Sequence, residues 1–217
     1  MLPAWTQFAK VAVAHLLAVA SPGPDFAMVV RQSLAHGRRA GIWTSLGIAS
    51  ALLVHITAAL LGIALLLRTY PVAFTAAKFV GAGYLAWIGA RALFGRPQVE
   101  MAAPPAGSEA ALGRPGAPAA ASAWTTGFIT NVTNPKVVLF MAAIFTSLID
   151  PATPRLIEAG YGLWMVAVNI AWFTLVAYVF TRAPIRRAFL RAGVWIDRAM
   201  GLLFLAFAAA LALASLR

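Results

Sequence analysis

The feature that most constrains this chain is a series of six apolar blocks, each long enough to form a membrane-spanning helix. Crossing the hydrocarbon layer of a bilayer takes about 20 mostly apolar residues in a helix. The blocks cover residues 5–34, with a break at 21–24, and then 40–67, 71–94, 123–149, 156–180 and 194–216. With 62% hydrophobic and only 11% charged residues, the chain is too apolar for a soluble domain. The sequence therefore predicts an all-α membrane protein with six transmembrane helices.

The six blocks fall into two groups of three. Residues 97–122, between the third and fourth blocks, are rich in Pro, Ala and Gly, which is typical of a flexible loop. We therefore expect a single transmembrane domain over 1–217, with a first repeat at about 1–96 and a second at about 123–217. Because each half holds an odd number of spans, the second half would enter from the opposite side. The sequence thus predicts inverted repeats.

The basic residues predict the orientation, because cytoplasmic loops retain more Lys and Arg than the opposite side. Ten arginines lie in, or at the block ends next to, the first, third and fifth segments between blocks: Arg31, Arg38, Arg39, Arg91, Arg96, Arg114, Arg182, Arg186, Arg187 and Arg191. The opposite side carries four basic residues: Lys10, Arg68, Arg155 and Arg217. We therefore expect both termini to lie outside the cytoplasm.

The net charge of +11 does not indicate a nucleic-acid partner, because the basic residues are dispersed between apolar blocks. The chain has no cysteine, and therefore no disulfide or thiolate metal site. His15, His36 and His55 lack the spacing of metal ligands. We expect neither a metal nor a cofactor, and the predicted partners are the lipid bilayer and a small molecule.

The first candidate site is the segment Ser21-Pro22-Gly23-Pro24-Asp25, inside the first block. Its two prolines remove two backbone donors and its glycine loosens the turn, so the helix should break here. Ser21 is expected to cap the following half-helix, with Pro22 or Pro24 in the first turn. Asp25 would then lie where the helix dipole favours an anion. A carboxylate at membrane depth usually marks an ion or substrate path, and a kinked helix with a capping Asp is the alternative.

The second candidate site is the segment 131–136, inside the fourth block. Asn134 before Pro135 predicts another N-cap followed by a first-turn proline. Lys136 would oppose the dipole at this helix start, so an anion should lie nearby, either Asp25 or the carboxylate of a bound substrate. The alternative is a lysine whose side chain reaches the membrane surface.

Proline-broken helices in the opening span of each half are typical of transporters that build their site between repeats. We expect the two breaks to face each other near the bilayer midplane. An amino-acid zwitterion would place its carboxylate near Lys136 and its ammonium near Asp25, which is the predicted coupling carboxyl. His15 and His55 could relay protons, or could simply bond a neighbouring helix. The predicted substrate-binding or coupling residues are Ser21, Pro22, Gly23, Pro24, Asp25, His55, Asn131, Asn134, Pro135 and Lys136.

These motifs resemble those of the LysE/RhtB superfamily of amino-acid exporters, which contains lysine exporters and homoserine/threonine efflux proteins. The resemblance rests on segments 21–26, 36–41, 83–85 and 131–136, together with Arg31 and Gly89. It implies a six-helix exporter of the bacterial inner membrane, driven by the proton gradient and often a homodimer. In that membrane, the orientation predicted from the basic residues places both termini in the periplasm. A single acidic residue at the site favours a neutral substrate over lysine or arginine.

Two other classes of protein compete with a transporter. An intramembrane enzyme acting on a lipid-linked substrate could use Asp25, Lys136 and a histidine, but it would need a convergent nucleophile or metal group. A membrane scaffold without transport would use the helix breaks for packing only. The scaffold hypothesis predicts that Asp25→Asn is tolerated.

Overall fold

The computed structural model describes residues 4–69, 71–95, 119–150 and 152–213, and the regular structure within them is entirely helical. The helices of this part of the chain are α1 (Ala4–Ala20), α2 (Pro24–His36), α3 (Arg38–Thr69), α4 (Pro71–Phe94), α5 (Ala120–Val132), α6 (Pro135–Ser147), α7 (Arg155–Val179) and α8 (Ala183–Leu213). The predicted all-α class is confirmed for these residues.

Two helices in the described residues are long and apolar enough to cross a membrane unbroken, Arg38–Leu61 and Arg155–Val179. Two further candidate spans are bent pairs. Trp5–Ala20 and Pro24–His36 meet at 50°, and Ala120–Val132 and Pro135–Phe145 meet at 58°. Length and composition thus support up to four spans. The six-span arrangement stays a prediction, with α4 and α8 as the helices that would supply the other two.

Large apolar side chains cover much of the outside of this bundle. Trp5, Val72, Phe94, Leu156 and Leu213 are each more than 70% exposed. A soluble protein rarely exposes apolar patches of this extent. The surface therefore fits a protein surrounded by lipid.

The order of the elements repeats along the chain, as a bent pair followed by two helices. The bent pair α1–α2 packs on α7, and the bent pair α5–α6 packs on α3. In addition, α3 packs on α7 and α4 on α8. In each case the bent pair of one half contacts the helix that follows the bent pair of the other half, α7 or α3. Two structurally related halves would make this reciprocal pairing. Their inverted relation stays a prediction.

The backbones of α3 and α5 touch at two glycines. A Cβ atom placed on Gly47 would overlap the backbone carbonyl of Trp124, and one on Gly127 would overlap that of Thr44. The Thr44 hydroxyl shares its hydrogen between the carbonyl oxygen of Ala40 in its own helix, at 2.9 Å, and that of Ala123, at 3.2 Å. Small residues allow such close approach of helices in membranes. This contact fixes α5, and with it the second helix break, against the first half.

Two helices begin before the apolar blocks that predict them. The helix α8 begins at Ala183, well before the predicted residue 194, because its first turns are amphipathic and carry arginines among apolar residues. The helix α5 begins at Ala120, so the predicted loop ends earlier than 122, and its residues 97–118 lie outside the described part.

The basic residues expected in the first loop lie instead on helix ends. Only Gly37, with a φ of 86°, separates α2 from α3, so Arg31, Arg38 and Arg39 are helical. A glycine suits this left-handed conformation because it has no Cβ. These arginines still lie at the same end of α2 and α3, so the membrane orientation that they predict is unchanged.

Two clusters of buried apolar residues lie in the part of the chain that the structure describes. The first includes Leu52, Phe140, Met141 and Met165, and the second includes Phe26, Ile48, Phe173 and Phe180. The helix breaks lie where the two clusters meet.

Candidate functional site

The first break consists of Ser21, Pro22 and Gly23, between α1 and α2. The Ser21 backbone N–H donates to the carbonyl of Leu17 at 3.1 Å, and its hydroxyl donates to that of Ala18 at 2.9 Å. Ser21 therefore ends α1. The expectation that Ser21 caps the next helix is wrong, because Gly23 is the N-cap residue and no side chain caps α2. Pro24 opens α2, as one of the two predicted alternatives.

The second break has the predicted cap. The Asn134 side-chain oxygen accepts a hydrogen bond from the backbone N–H of Lys136 at 3.1 Å, and Pro135 is the first residue of α6. The Asn134 side chain is buried. Local chemistry of an Asn-Pro pair is enough to start this helix, since the proline lacks only a donor that would be unpaired there.

The two breaks contact each other, as the sequence predicted. The Asn131 side-chain Nδ2 donates to Oδ2 of Asp25 at 2.8 Å. The Lys136 Nζ donates to the hydroxyl of Ser21 and, at 3.4 Å, to its backbone carbonyl. A Cβ atom on Gly23 would lie 3.2 Å from the Lys136 Nζ, so glycine leaves room for the ammonium.

Lys136 points into the protein rather than toward a membrane surface. Its Nζ lies 5.3 Å from the ring centroid of Phe204 on α8, a cation–π distance. Two carboxylates attract it electrostatically, Asp25 on α2 and Asp197 on α8. Asp197 is only 3% exposed and was missed in the sequence, where it lies among arginines. Asp197 precedes Phe204 by seven residues, so the two lie on one face of α8. This spacing could have indicated that Asp197 is buried.

Both membrane histidines bond the backbone of another helix, which is the alternative to proton relay that the sequence left open. The His55 Nε2 lies 3.2 Å from the carbonyl oxygen of Asn131. The His15 Nε2 lies 3.1 Å from that of Met165 on α7. His55 therefore supports the residue that holds Asp25. A relay function for either histidine stays a prediction.

A cavity of about 50 Å³ lies where the breaks meet. One water needs about 10–15 Å³ of such space, so several water-sized groups fit. Its polar lining consists of His15, Ser21, Gly23, Asp25, Asn131, Asn134, Lys136 and Asn169, and its apolar lining includes Val19, Phe26, Leu52, Phe140, Met141 and Phe173. Of the predicted residues in the described chain, Pro22, His55 and Pro135 lie outside this lining.

Buried polar atoms without a hydrogen-bond partner collect at this cavity. Among the described residues there are six such side-chain atoms, and four belong to residues that line the cavity: His15 Nδ1, Asp25 Oδ1, Asn131 Oδ1 and Asn169 Oδ1. An unpaired buried polar atom costs about 1–3 kcal/mol, so such a group of four indicates a site that a ligand or water fills. Asn169 was not among the predicted site residues, so this position was missed.

Two helix starts that meet at a cavity with a buried carboxylate and an amine are an arrangement typical of membrane transport proteins. The chain belongs to the LysE family: the model of the LysE type translocator matches residues 16–215. The resemblance stated from the motifs is therefore confirmed. A family of translocators leaves no support for the intramembrane-enzyme alternative.

Individual relatives agree with the family match. The threonine efflux protein of Escherichia coli (strain K12) is 30% identical over 200 residues, which cover 92% of this chain and 94% of that protein. The leucine efflux protein of Klebsiella pneumoniae is 27% identical over 202 residues, which cover 88% of this chain and 87% of that protein. No solved structure matches the chain.

Proposed function

We propose that this protein exports a neutral amino acid across the bacterial inner membrane in exchange for protons. The observation that carries the proposal is the position of Asp25 and Lys136, two opposite charges at two helix breaks that share one cavity. The relatives named as threonine and leucine efflux proteins support the substrate class.

The cavity matches the two charges of an amino-acid zwitterion. The substrate carboxylate would lie near Lys136 and the start of α6, where backbone N–H groups and the helix dipole favour an anion. The substrate ammonium would lie near Asp25, whose Oδ1 has no partner. The apolar lining would take the side chain. Asp25 is the one acidic residue among the described residues of this lining, so a second positive charge on the substrate would lack a carboxylate there.

A proton and a substrate ammonium would compete for the Asp25 carboxyl. A protonated carboxyl cannot form an ion pair with ammonium, so binding of one excludes the other. A high proton concentration in the periplasm would displace the substrate there, whereas in the cytoplasm the proton leaves and substrate binds. A ligand shifts the equilibrium between the cytoplasm-open and periplasm-open states of a transporter only if it binds one of them more tightly. Competition between the proton and the substrate would provide this difference. Lys136 would supply a fixed positive charge throughout the cycle.

The proposal includes six spans as two inverted repeats, both termini in the periplasm, and a homodimer. The ten-to-four distribution of basic residues supports the orientation. The order of elements, a bent pair followed by two helices in each half, supports the repeat architecture. The homodimer is what the resemblance to the family implies. The helix breaks would then lie near the bilayer midplane.

Everted membrane vesicles test the function directly, because export from the cell becomes uptake into the vesicle. We expect vesicles with an acidic interior to accumulate labelled threonine or leucine, and an uncoupler to abolish the accumulation. Vesicles from the same strain without the protein are the control. Uptake that is equal with and without the pH gradient would contradict proton coupling, and no uptake of any neutral amino acid would contradict the function.

A further inference from the structure

We infer that the cavity contains a subsite for a primary ammonium group, in which His15 and Asn169 join Asp25 and Asn131. These two additional residues would determine the preference for an amino acid over the corresponding 2-hydroxy acid. The inference rests on the proposed function, because it states which group of the exported molecule the cavity recognises. It is carried by four residues that line the cavity and that each have a buried polar atom without a hydrogen-bond partner.

The free atom of Asn131 is a hydrogen-bond acceptor. Its Nδ2 donates to Asp25 at 2.8 Å, so its Oδ1 is the atom that has no partner. Rotating the amide by 180° would place its oxygen against the ionised carboxylate, which also only accepts. Asn131 is 1% exposed, so no bulk solvent satisfies this oxygen.

The free atom of His15 is an acceptor too. Its Nε2 lies 3.1 Å from the carbonyl oxygen of Met165, and a carbonyl can only accept, so Nε2 carries the hydrogen. In the neutral ring, Nδ1 then presents a lone pair. This Nδ1 is buried and has no partner.

Asn169 completes the group from α7. It follows Met165 by four residues and precedes Phe173 by four, so the three share one face of the helix. Asn169 is 4% exposed and its Oδ1 has no partner. The helix that holds His15 through Met165 thus also contributes an acceptor of its own to the cavity.

A ligand for these atoms must supply donors. An ammonium group has three N–H donors and a positive charge, which suits a carboxylate oxygen with neutral acceptors around it. A hydroxyl group has a single O–H donor and no charge. A sodium ion prefers oxygen ligands, as hard cations do, and an imidazole nitrogen fits it poorly. The composition of the subsite therefore favours ammonium.

The test compares L-leucine with L-2-hydroxy-4-methylpentanoate, which has the same shape with a hydroxyl in place of the ammonium. Both are used as competitors of labelled leucine exchange in proteoliposomes containing the full chain. We expect Asn169→Ala to raise the KM for leucine about tenfold to hundredfold, which is the usual effect of losing a hydrogen bond to a charged group. The preference for leucine over the hydroxy acid should shrink in parallel.

Two variants control for folding and for position. Asn169→Asp keeps an acceptor oxygen and should retain the preference for leucine, which a purely structural loss would not allow. Thr174→Ala, on the same helix but outside the cavity lining, should leave the KM for leucine and the preference for leucine over the hydroxy acid unchanged. His15→Leu removes the Nδ1 acceptor independently, and it should also narrow the preference. Size-exclusion chromatography in detergent checks that each variant is folded.

The outcomes separate this inference from the function on which it rests. If the wild-type protein exchanges leucine while Asn169→Ala and His15→Leu keep its KM and preference, the inference is wrong and the function stands. If wild-type exchange requires sodium and the variants alter only the sodium dependence, the acceptors hold a sodium ion and the inference is again wrong. If the wild-type protein exchanges no amino acid, the function fails and the inference with it.

Discussion

Replacing Asp25 by Asn should separate coupling from folding. The substitution keeps the shape of the side chain and removes its charge and its proton site. The new amide oxygen can still accept from Asn131, which donates to the carboxylate at 2.8 Å. The change from a charge-assisted to a neutral hydrogen bond is worth about 1 kcal/mol. We therefore expect a folded, inserted protein.

The effect on transport should be much larger. One proton moving across one pH unit supplies about 1.4 kcal/mol, a factor of about ten in a concentration ratio. A one-to-one exchange across about two pH units could therefore accumulate substrate up to about a hundredfold. Without a carboxyl to carry the proton, the accumulation ratio of Asp25→Asn should fall to about one. Exchange of labelled for unlabelled substrate at equal pH should persist, with a raised KM.

The assay measures labelled leucine in everted vesicles with an acidic interior, with the protein amount in each preparation matched. Asp150→Asn is the control, because Asp150 follows α6 and lies outside the cavity lining. Accumulation by Asp25→Asn at the wild-type level would refute the coupling role. Asp25 would then be only a residue at a helix start, and His55 would be the next candidate.

Three further predictions concern the second charge, the packing and the orientation. Lys136→Met should raise the KM and slow accumulation, because the substrate carboxylate loses its cation, and an unchanged KM would contradict this; Lys10→Met, exposed on α1, is its control. Gly127→Ala should lower the free energy of unfolding in detergent by about 1–3 kcal/mol, because its Cβ meets the backbone of Thr44. Gly160→Ala, with open space around it, should unfold like the wild-type protein, and equal losses for both variants would refute the packing argument. A C-terminal alkaline phosphatase fusion should be active and a C-terminal green fluorescent protein fusion dark, and the reverse pattern would overturn the orientation.

The helix breaks were predictable because their causes are local. Pro24 and Pro135 lack the backbone donor that a continuing helix needs. Asn134 caps the helix that starts at the next residue, by accepting a hydrogen bond from the backbone N–H of Lys136. The one error at these breaks was the cap assigned to Ser21, which bonds backward to Ala18 instead. A serine before two prolines can close one helix or open the next, and the local sequence does not decide between them.

The sequence by itself determined the helical class, the two breaks and the need for an anion near Lys136, since each follows from backbone donors, hydropathy and charge. Only the tertiary structure decided which residues meet at the cavity. Asp25 and Asn131 are 106 positions apart, and Asn169 and His15 reach the cavity from α7 and α1. In helices that are apolar on most faces, periodicity does not indicate which side turns inward. That rotation depends on close backbone contacts such as those at Gly47 and Gly127, which form only when the helices pack.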